Sequence, residues 1–364
     1  VPDPTEPDTT EPDTTVPDKT APAALELGLD TFGDVTADAA GAAIPQPQVL
    51  RNVVAQARLA DELGVDFIGI GEHHREDFAV SAPEVVLAAI AGQTERIRLG
   101  SAVTVLSSDD PIRVFQRFST LDALSNGRAE VILGRGSFIE SFPLFGFDLA
   151  DYENLFEEKL NLFAELLKEE PVTWQGSTRA PLSEQRVFPP TESGRLRAWV
   201  GVGGSPQSVV RAAHYGLPLM LAIIGGAPVR FAPLADLYRR ALDQFGGEQQ
   251  PIGAHSPGHV AETDEQAREE LWPHYAVMQA RIGAERGWGP ASRDQFEHDA
   301  GPDGALFVGS PDTVARKIAQ AVTDLGLTRF DLKYSTGTLP HDRLMNSIEL
   351  YGSRVIPMVR DLLA

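Results

Sequence analysis

The run Phe67-Ile68-Gly69-Ile70 carries no polar residue. A strand with one wet face alternates apolar and polar side chains, so this run reads as a strand buried on both faces, as in a parallel sheet covered by helices. It follows a helical pattern closed by Gly64 and empties into Glu72-His73-His74. The same layout recurs along the chain. Strands are predicted over 25–29, 67–70, 97–106, 130–133, 196–202, 217–224, 252–260 and 330–334. Helices are predicted between them over 48–63, 83–94, 111–124, 152–169, 206–215, 231–245, 264–285 and 312–325, with a closing helix over 342–363. Eight strand–helix alternations in 364 residues predict an α/β fold, a (β/α)8 TIM barrel rather than an open doubly wound sheet.

Two segments depart from this rhythm. Residues 1–24 repeat TEPDTTEPDTT and offer almost nothing apolar to bury, so they are expected to form a disordered acidic tail ahead of a barrel domain over 25–364. They lack the basic start and apolar centre of a secretory signal. Residues 171–195 are irregular and rich in proline. They are expected as an insertion after the fourth helix, with a short hairpin over 172–174 and 186–188.

The formal net charge of −21 argues against partners that present phosphate backbones or anionic membranes. No run approaches the ~18 to 20 apolar residues of a membrane helix. The absence of cysteine removes disulfides, thiolate metal sites and cysteine nucleophiles, and it fits a reducing, cytoplasmic setting.

Ionisable side chains at the carboxyl end of a buried strand are costly unless solvated, paired or used. Parallel α/β folds bind their ligands at that end. Glu72-His73-His74 is therefore the first candidate site, although a packing histidine with a salt-bridge partner fits the same residues. The second is Trp199–Ala213, where a buried strand runs into Gly203-Gly204 and Ser205-Pro206 opens a helix. Glycines permit close approach, and first-turn N–H groups with the Ser205 and Ser208 hydroxyls suit a phosphate. An ordinary capped helix fits too.

Arg135, between glycines at the end of the preceding strand, strengthens the anion reading, because a guanidinium there can reach the neighbouring loop. Gly309-Ser310-Pro311 is a rival phosphate loop without a flanking basic residue. Gly100-Ser101-Ala102-Val103-Thr104 places small residues where a flat ring could lie against backbone, or where a narrow barrel needs them. Metal binding is disfavoured, since the adjacent His73 and His74 cannot share a strand face and the other histidines lack ligand spacing. No Gly-x-Ser-x-Gly elbow supports a nucleophilic triad.

Four stretches taken together resemble the bacterial luciferase-like flavin-dependent oxidoreductases: DELGVDFIGIGEHH, RIRLGSAVTVLSSDDPIRVFQRFSTLDALSNGRAEVILGRG, WVGVGGSPQSVVRAAHYGLP and FVGSPDTVARKIAQAVTDLGLTRFDLKYSTG. The resemblance runs from about Leu25 to the C-terminus and implies a TIM barrel that binds a reduced flavin. It puts His73 in the active site and a cis peptide at Ala102-Val103 beneath the flavin ring. It gives the flavin phosphate to Arg135 and to the hydroxyls of Ser205 and Ser208, beside Gly203 and Gly204. Luciferase itself carries a reactive cysteine where this chain has Gly134, so light emission is not implied.

The expected activity is a monooxygenase using reduced FMN and oxygen on a small organic substrate. His73 would move a proton, and a flavin reductase would be a possible supplier of the reduced cofactor. The resemblance equally accommodates a deazaflavin-dependent dehydrogenase or reductase. A catalytically silent partner subunit is a third reading, against which the retained Glu-His-His and Gly-Arg-Gly stand. Family members pair through the helices after strands two and three, which implies a homodimer. The loops over 137–150 and 174–195 are expected to cover the barrel mouth and set the substrate.

Overall fold

Parallel pairing passes from strand to strand until the sheet closes on itself. In the computed structural model, which describes residues 25–38, 40–136, 138–287 and 289–364, β1 (Glu26–Thr31) pairs with β2 (Phe67–Ile70), and β2 with β3 (Arg98–Ser101). The series continues through β4 (Ala129–Gly134), β5 (Arg197–Val202), β6 (Leu219–Ala222), β7 (Ile252–Val260) and β8 (Arg329–Lys333). β8 then pairs with β1, Glu26 opposite Arg329, which completes an eight-stranded barrel. The expected tail over 1–24 lies outside the described residues.

The helices ring the barrel: α1 (Gln46–Glu62), α2 (Pro83–Ala91), α3 (Pro111–Leu124), α4 (Tyr152–Leu166), α5 (Pro206–His214), α6 (Ala232–Phe245), α7 (Asp264–Arg286), α8 (Pro311–Leu325) and α9 (His341–Leu350). Sequence chemistry fixes several of their starts. Pro111 occupies the first turn of α3, and the Asp110 carboxylate before it accepts from the N–H groups of Ile112 and Arg113. Ser205 and Ser310 cap α5 and α8 in the same way. Among the described residues no helix is long and apolar enough to cross a membrane.

Three expected elements differ. The third strand, expected as continuous over 97–106, stops at Ser101, and Thr104–Val105 resumes pairing with β4; the Ala102-Val103 peptide between them is cis, as the resemblance implies. The hairpin's second strand is Leu182–Gln185 rather than 186–188; there the Glu184 N–H reaches Thr173 Oγ1, and Phe188 is exposed ahead of Pro189. The closing helix is interrupted by a π turn over Tyr351–Val355, where Gly352 packs so closely on Leu63 that a Cβ would meet the Leu63 Cβ at 2.7 Å.

Alternate residues of each strand point to the barrel axis. At the amino-terminal end these are charged. Arg329 is fully buried, bonds Glu130 and Asp331, and lies 3.4 Å from the centre of the Phe67 ring. Arg98 and Arg197 approach Glu130 as well, and Arg197 reaches Glu26 at 2.6 Å. Three guanidinium groups thus face three carboxylates, so no buried charge is left unmatched. Above this floor Phe67, Ile132, Trp199 and Met220 form an apolar plug beneath Ala102 and Val103. The carboxyl end of the barrel is left as the mouth.

Candidate active site

β2 delivers Glu72, His73 and His74 to the mouth, and strand alternation sends them apart. The His73 N–H bonds the Val80 carbonyl at 2.9 Å, and its ring lies among Phe32, Phe78 and Phe138, with centroids 4.8, 4.5 and 5.3 Å away. Its Nδ1 stands 3.5 Å from Glu140 Oε1. Burial raises the pKa of Glu140, but the His73 contact and nearby backbone N–H groups outweigh it and hold the carboxyl below its usual range. His73 is itself 7% exposed, so this aromatic wall shields its ring from water.

His74 turns the other way. Its Nε2 is 2.9 Å from Glu72 Oε1, a hydrogen bond that raises the His74 pKa against the opposing effect of burial. The second Glu72 oxygen accepts the Val105 N–H at 2.9 Å, and the Glu72 N–H bonds the Val103 carbonyl at 3.3 Å. Glu72 therefore pins the backbone on either side of Val103. Among the described residues, no cluster of His, Asp and Glu is placed to hold a metal ion.

The cis Ala102-Val103 peptide faces the mouth above the plug. Its surroundings are cleared of side chains. A Cβ on Gly69 would meet that of Ala102 at 2.8 Å, and one on Gly134 would meet Val103 Cγ2 at 2.6 Å. The Gly201 position is nearly as tight, at 3.0 Å from Val103 Cγ1. Val103 thus takes the room that a larger residue at 134 needs.

The anion residues converge. Arg135 Nη2 lies 3.3 Å from Ser208 Oγ, and Ser205 Oγ accepts the Ser208 N–H at the start of α5. Gly203 and Gly204 precede them on an open surface, with nothing within 4 Å of an added Cβ, and Gly204 has φ +126°. Arg135 is also ion-paired with Glu153 and stands 5.2 Å over the Tyr152 ring. These groups fit a terminal phosphate: one guanidinium, two hydroxyls and the amino end of a helix. The rival loop does not, because the Asp264 carboxylate already accepts from the Ser310 N–H at 2.7 Å and from the Thr313 hydroxyl at 3.0 Å. A phosphate there would meet a carboxylate.

Sequence reasoning missed several mouth residues. Glu140 comes from the loop after β4, 66 positions from His74, whose N–H it also approaches at 3.4 Å, and no local pattern marks it. Phe138 is held over His73 by Arg75, 4.4 Å from its ring, which is itself paired with Glu285 at the end of α7. Asp30 lies one residue beyond the expected first strand, and Lys333 lies within the expected eighth. The hairpin insertion leans on α3 and α4 through Gln116, Glu158 and Asn161, and Arg179 Nη1 stands 3.5 Å from Asp110, the cap at the start of α3.

A family model described as luciferase-like monooxygenase matches residues 31–329. The 4-hydroxyprotoasukamycin monooxygenase of Streptomyces nodosus subsp. asukaensis is 30% identical over 231 residues, covering 60% of this chain and 62% of that protein. The alkanal monooxygenase alpha chain of Photorhabdus luminescens is 26% identical, and the match covers 55% of this chain and 56% of that one. The chain thus spans little more than half the length of these two relatives. Among solved structures, monooxygenase RslO1 from Streptomyces bottropensis superposes with TM-score 0.78 at 23% identity, covering 92% of this chain and 99% of that one. The oxygenating constituent of 3,6-diketocamphane monooxygenase from Pseudomonas putida, in complex with FMN, gives 0.72 at 20% identity, over 92% and 98%. Coenzyme F420-dependent tetrahydromethanopterin reductase from Methanopyrus kandleri gives 0.67 at 18%, over 92% and 99%. At these identities the structures establish the barrel fold.

Proposed function

The chain belongs to the luciferase-like monooxygenase family, and on that premise we propose that it is an FMN-dependent monooxygenase acting on a small organic substrate. The observation that carries this reading is the meeting of Arg135, Ser208 and the Ser205-capped helix end beside the cis Ala102-Val103 peptide. Arg135, Ser205 and Ser208 bind the FMN phosphate, with Gly203 and Gly204 allowing its approach, and Ala102-Val103 supports the ring. Reduced FMN, when bound, supplies the electrons that activate oxygen.

The protein's own part is position, dryness and a proton. Phe32, Phe78 and Phe138 exclude water around His73, and Glu140 orients its imidazole through Nδ1. His73 then gives or takes the proton at Nε2, the ring atom left free for the ligand. Glu72 acts on geometry by fixing the backbone around Val103. The substrate binds against this aromatic wall, and a flavin reductase delivers the reduced cofactor in a cytoplasmic setting. Oxygen uptake with reduced FMN and a panel of apolar substrates tests the reading, with labelled oxygen expected in the product. Turnover without oxygen uptake, driven by reduced deazaflavin, would replace it with the dehydrogenase or reductase alternative that the reductase-like fold supports.

The assembly is a homodimer through α2 and α3. Val85 on α2 is 70% exposed and Leu124 on α3 is 63% exposed, large apolar side chains on the helices where the family pairs. Light scattering at micromolar concentration should give twice the chain mass, and a monomer would contradict it.

A further inference from the structure

Across the mouth from Ala102-Val103 lies a second histidine that the reading above does not use. His255 projects from β7, and its Nδ1 is 2.8 Å from Asp30 Oδ2 on β1. Asp30 is 1% exposed, and its other oxygen is buried without a hydrogen-bond partner. Its Cβ lies 3.1 Å from the place a Gly69 Cβ would take, and that same place is 2.8 Å from the Ala102 Cβ. The pair therefore sits level with the proposed ring support, one strand beyond Gly69.

Lys333 Nζ stands 4.6 Å over the Phe32 ring, whose centroid is 4.8 Å from that of His73. Lys333 is taken up by Asp34, at 3.0 Å, and by Ser335, so it is neutralised and held by other groups. Among the described residues His255 Nε2 has no hydrogen-bond partner, and the His255 side chain is 12% exposed. Burial opposes charge on this imidazole, but the Asp30 carboxylate outweighs it and raises its pKa, with Asp331 adding to the effect and Lys333 opposing it.

We propose that His255, oriented by Asp30, is a second ligand contact at the mouth, where its Nε2 donates a hydrogen bond to an oxygen of the organic substrate. Asp30 is its positioning residue, accepting from Nδ1 and favouring the doubly protonated ring, the form in which Nε2 is a donor. The charges decide what kind of oxygen. An imidazolium at His255 would be matched by Asp30, and Lys333 is matched by Asp34, so the wall carries no surplus positive charge to balance an anion. A neutral carbonyl is matched by this donor, and a carboxylate is not. The inference rests on the mouth being the substrate site, as the functional reading holds, and it gives that substrate a carbonyl group opposite His73.

The test uses the full chain with nitrogen-15-labelled histidine, with and without FMN, titrated with 2-octanone as a neutral carbonyl and octanoate as an anion. Of eight histidines, the His255 signal is the one that His255→Gln removes. The expected result is a saturable shift of His255 Nε2 with 2-octanone and none with octanoate. His255→Gln should weaken 2-octanone about tenfold, the loss of one hydrogen bond to a charged donor. Asp30→Asn should leave the His255 signal in place but lower the pH at which the ring loses its proton, which a merely space-filling pair would not show. Unchanged 2-octanone affinity in His255→Gln, an unmoved His255 signal, or an equal response to octanoate would overturn the proposal. FMN retention, read from absorbance in the same samples, reports separately on the cofactor. A protein that shifts His255 without holding FMN refutes the cofactor reading and leaves this contact standing.

Discussion

Arg135→Ala should weaken FMN binding by roughly 1 to 2 kcal/mol, about five- to thirtyfold. A charge-assisted hydrogen bond contributes about 1.5 to 3 kcal/mol. The structure reduces that figure, because Arg135 must first leave Glu153, a carboxylate whose side chain is 65% exposed. Such an exposed pair is worth about 0 to 1 kcal/mol. The same arithmetic makes a second, opposite prediction. Glu153→Gln removes the competitor, so FMN should bind as well as before or up to about fivefold more tightly. Calorimetric titration at low and moderate salt measures both. Ser310→Ala is the control, since Asp264 already occupies that helix end, and its FMN affinity should not move. Unchanged affinity in Arg135→Ala would refute the reasoning. So would a loss in Glu153→Gln as large as that in Arg135→Ala, because Glu153 would then be helping the ligand.

His73→Asn should retain FMN and cut turnover by ~10² to 10⁴-fold, as expected when acid–base help is lost, while His74→Asn should cost less because its ring serves Glu72. Steady-state rates decide, and full activity in His73→Asn with loss in His74→Asn would reverse the assignment. Gly134→Ala should destabilise by about 1 to 3 kcal/mol through overpacking on Val103, and the loss should shrink in a Val103→Ala background, as measured by urea unfolding of the four proteins. Arg329→Met should cost about 3 to 5 kcal/mol, because Asp331 is left buried without a cationic partner and Glu130 keeps only Arg98 and Arg197. A variant as stable as the parent would show that the ionic floor is dispensable.

The barrel was legible because its evidence is local. Phe67–Ile70 lacks alternation, Gly64 stops a helix, and Pro111 and Pro206 open the next ones. The meeting of Arg135 and Ser208 was legible for the same reason: they follow β4 and β5, and the fold brings the ends of neighbouring strands together. What the sequence concealed depends on distant partners. The His73–Glu140 contact spans a loop without periodicity, and the Asp30–His255 pair joins positions 225 apart. The Gly309-Ser310 loop looked like a phosphate site because its competitor, Asp264, lies 46 residues away. The third strand looked continuous because each residue from Ile97 to Val105 is compatible with an extended chain; the cis peptide at Ala102-Val103 that interrupts it was implied by the family resemblance and not by the side chains.

The central claim is that one flavin phosphate is held at the mouth by Arg135, Ser205 and Ser208. Titrating the full chain with FMN, and in parallel with the deazaflavin coenzyme, while following fluorescence and heat, tests it most directly. The expected result is one FMN per chain, binding more tightly than the deazaflavin, with the affinity reduced in Arg135→Ala and equal to the parental value or up to about fivefold higher in Glu153→Gln. No saturable binding of FMN, or tight binding of the deazaflavin alone, would contradict it.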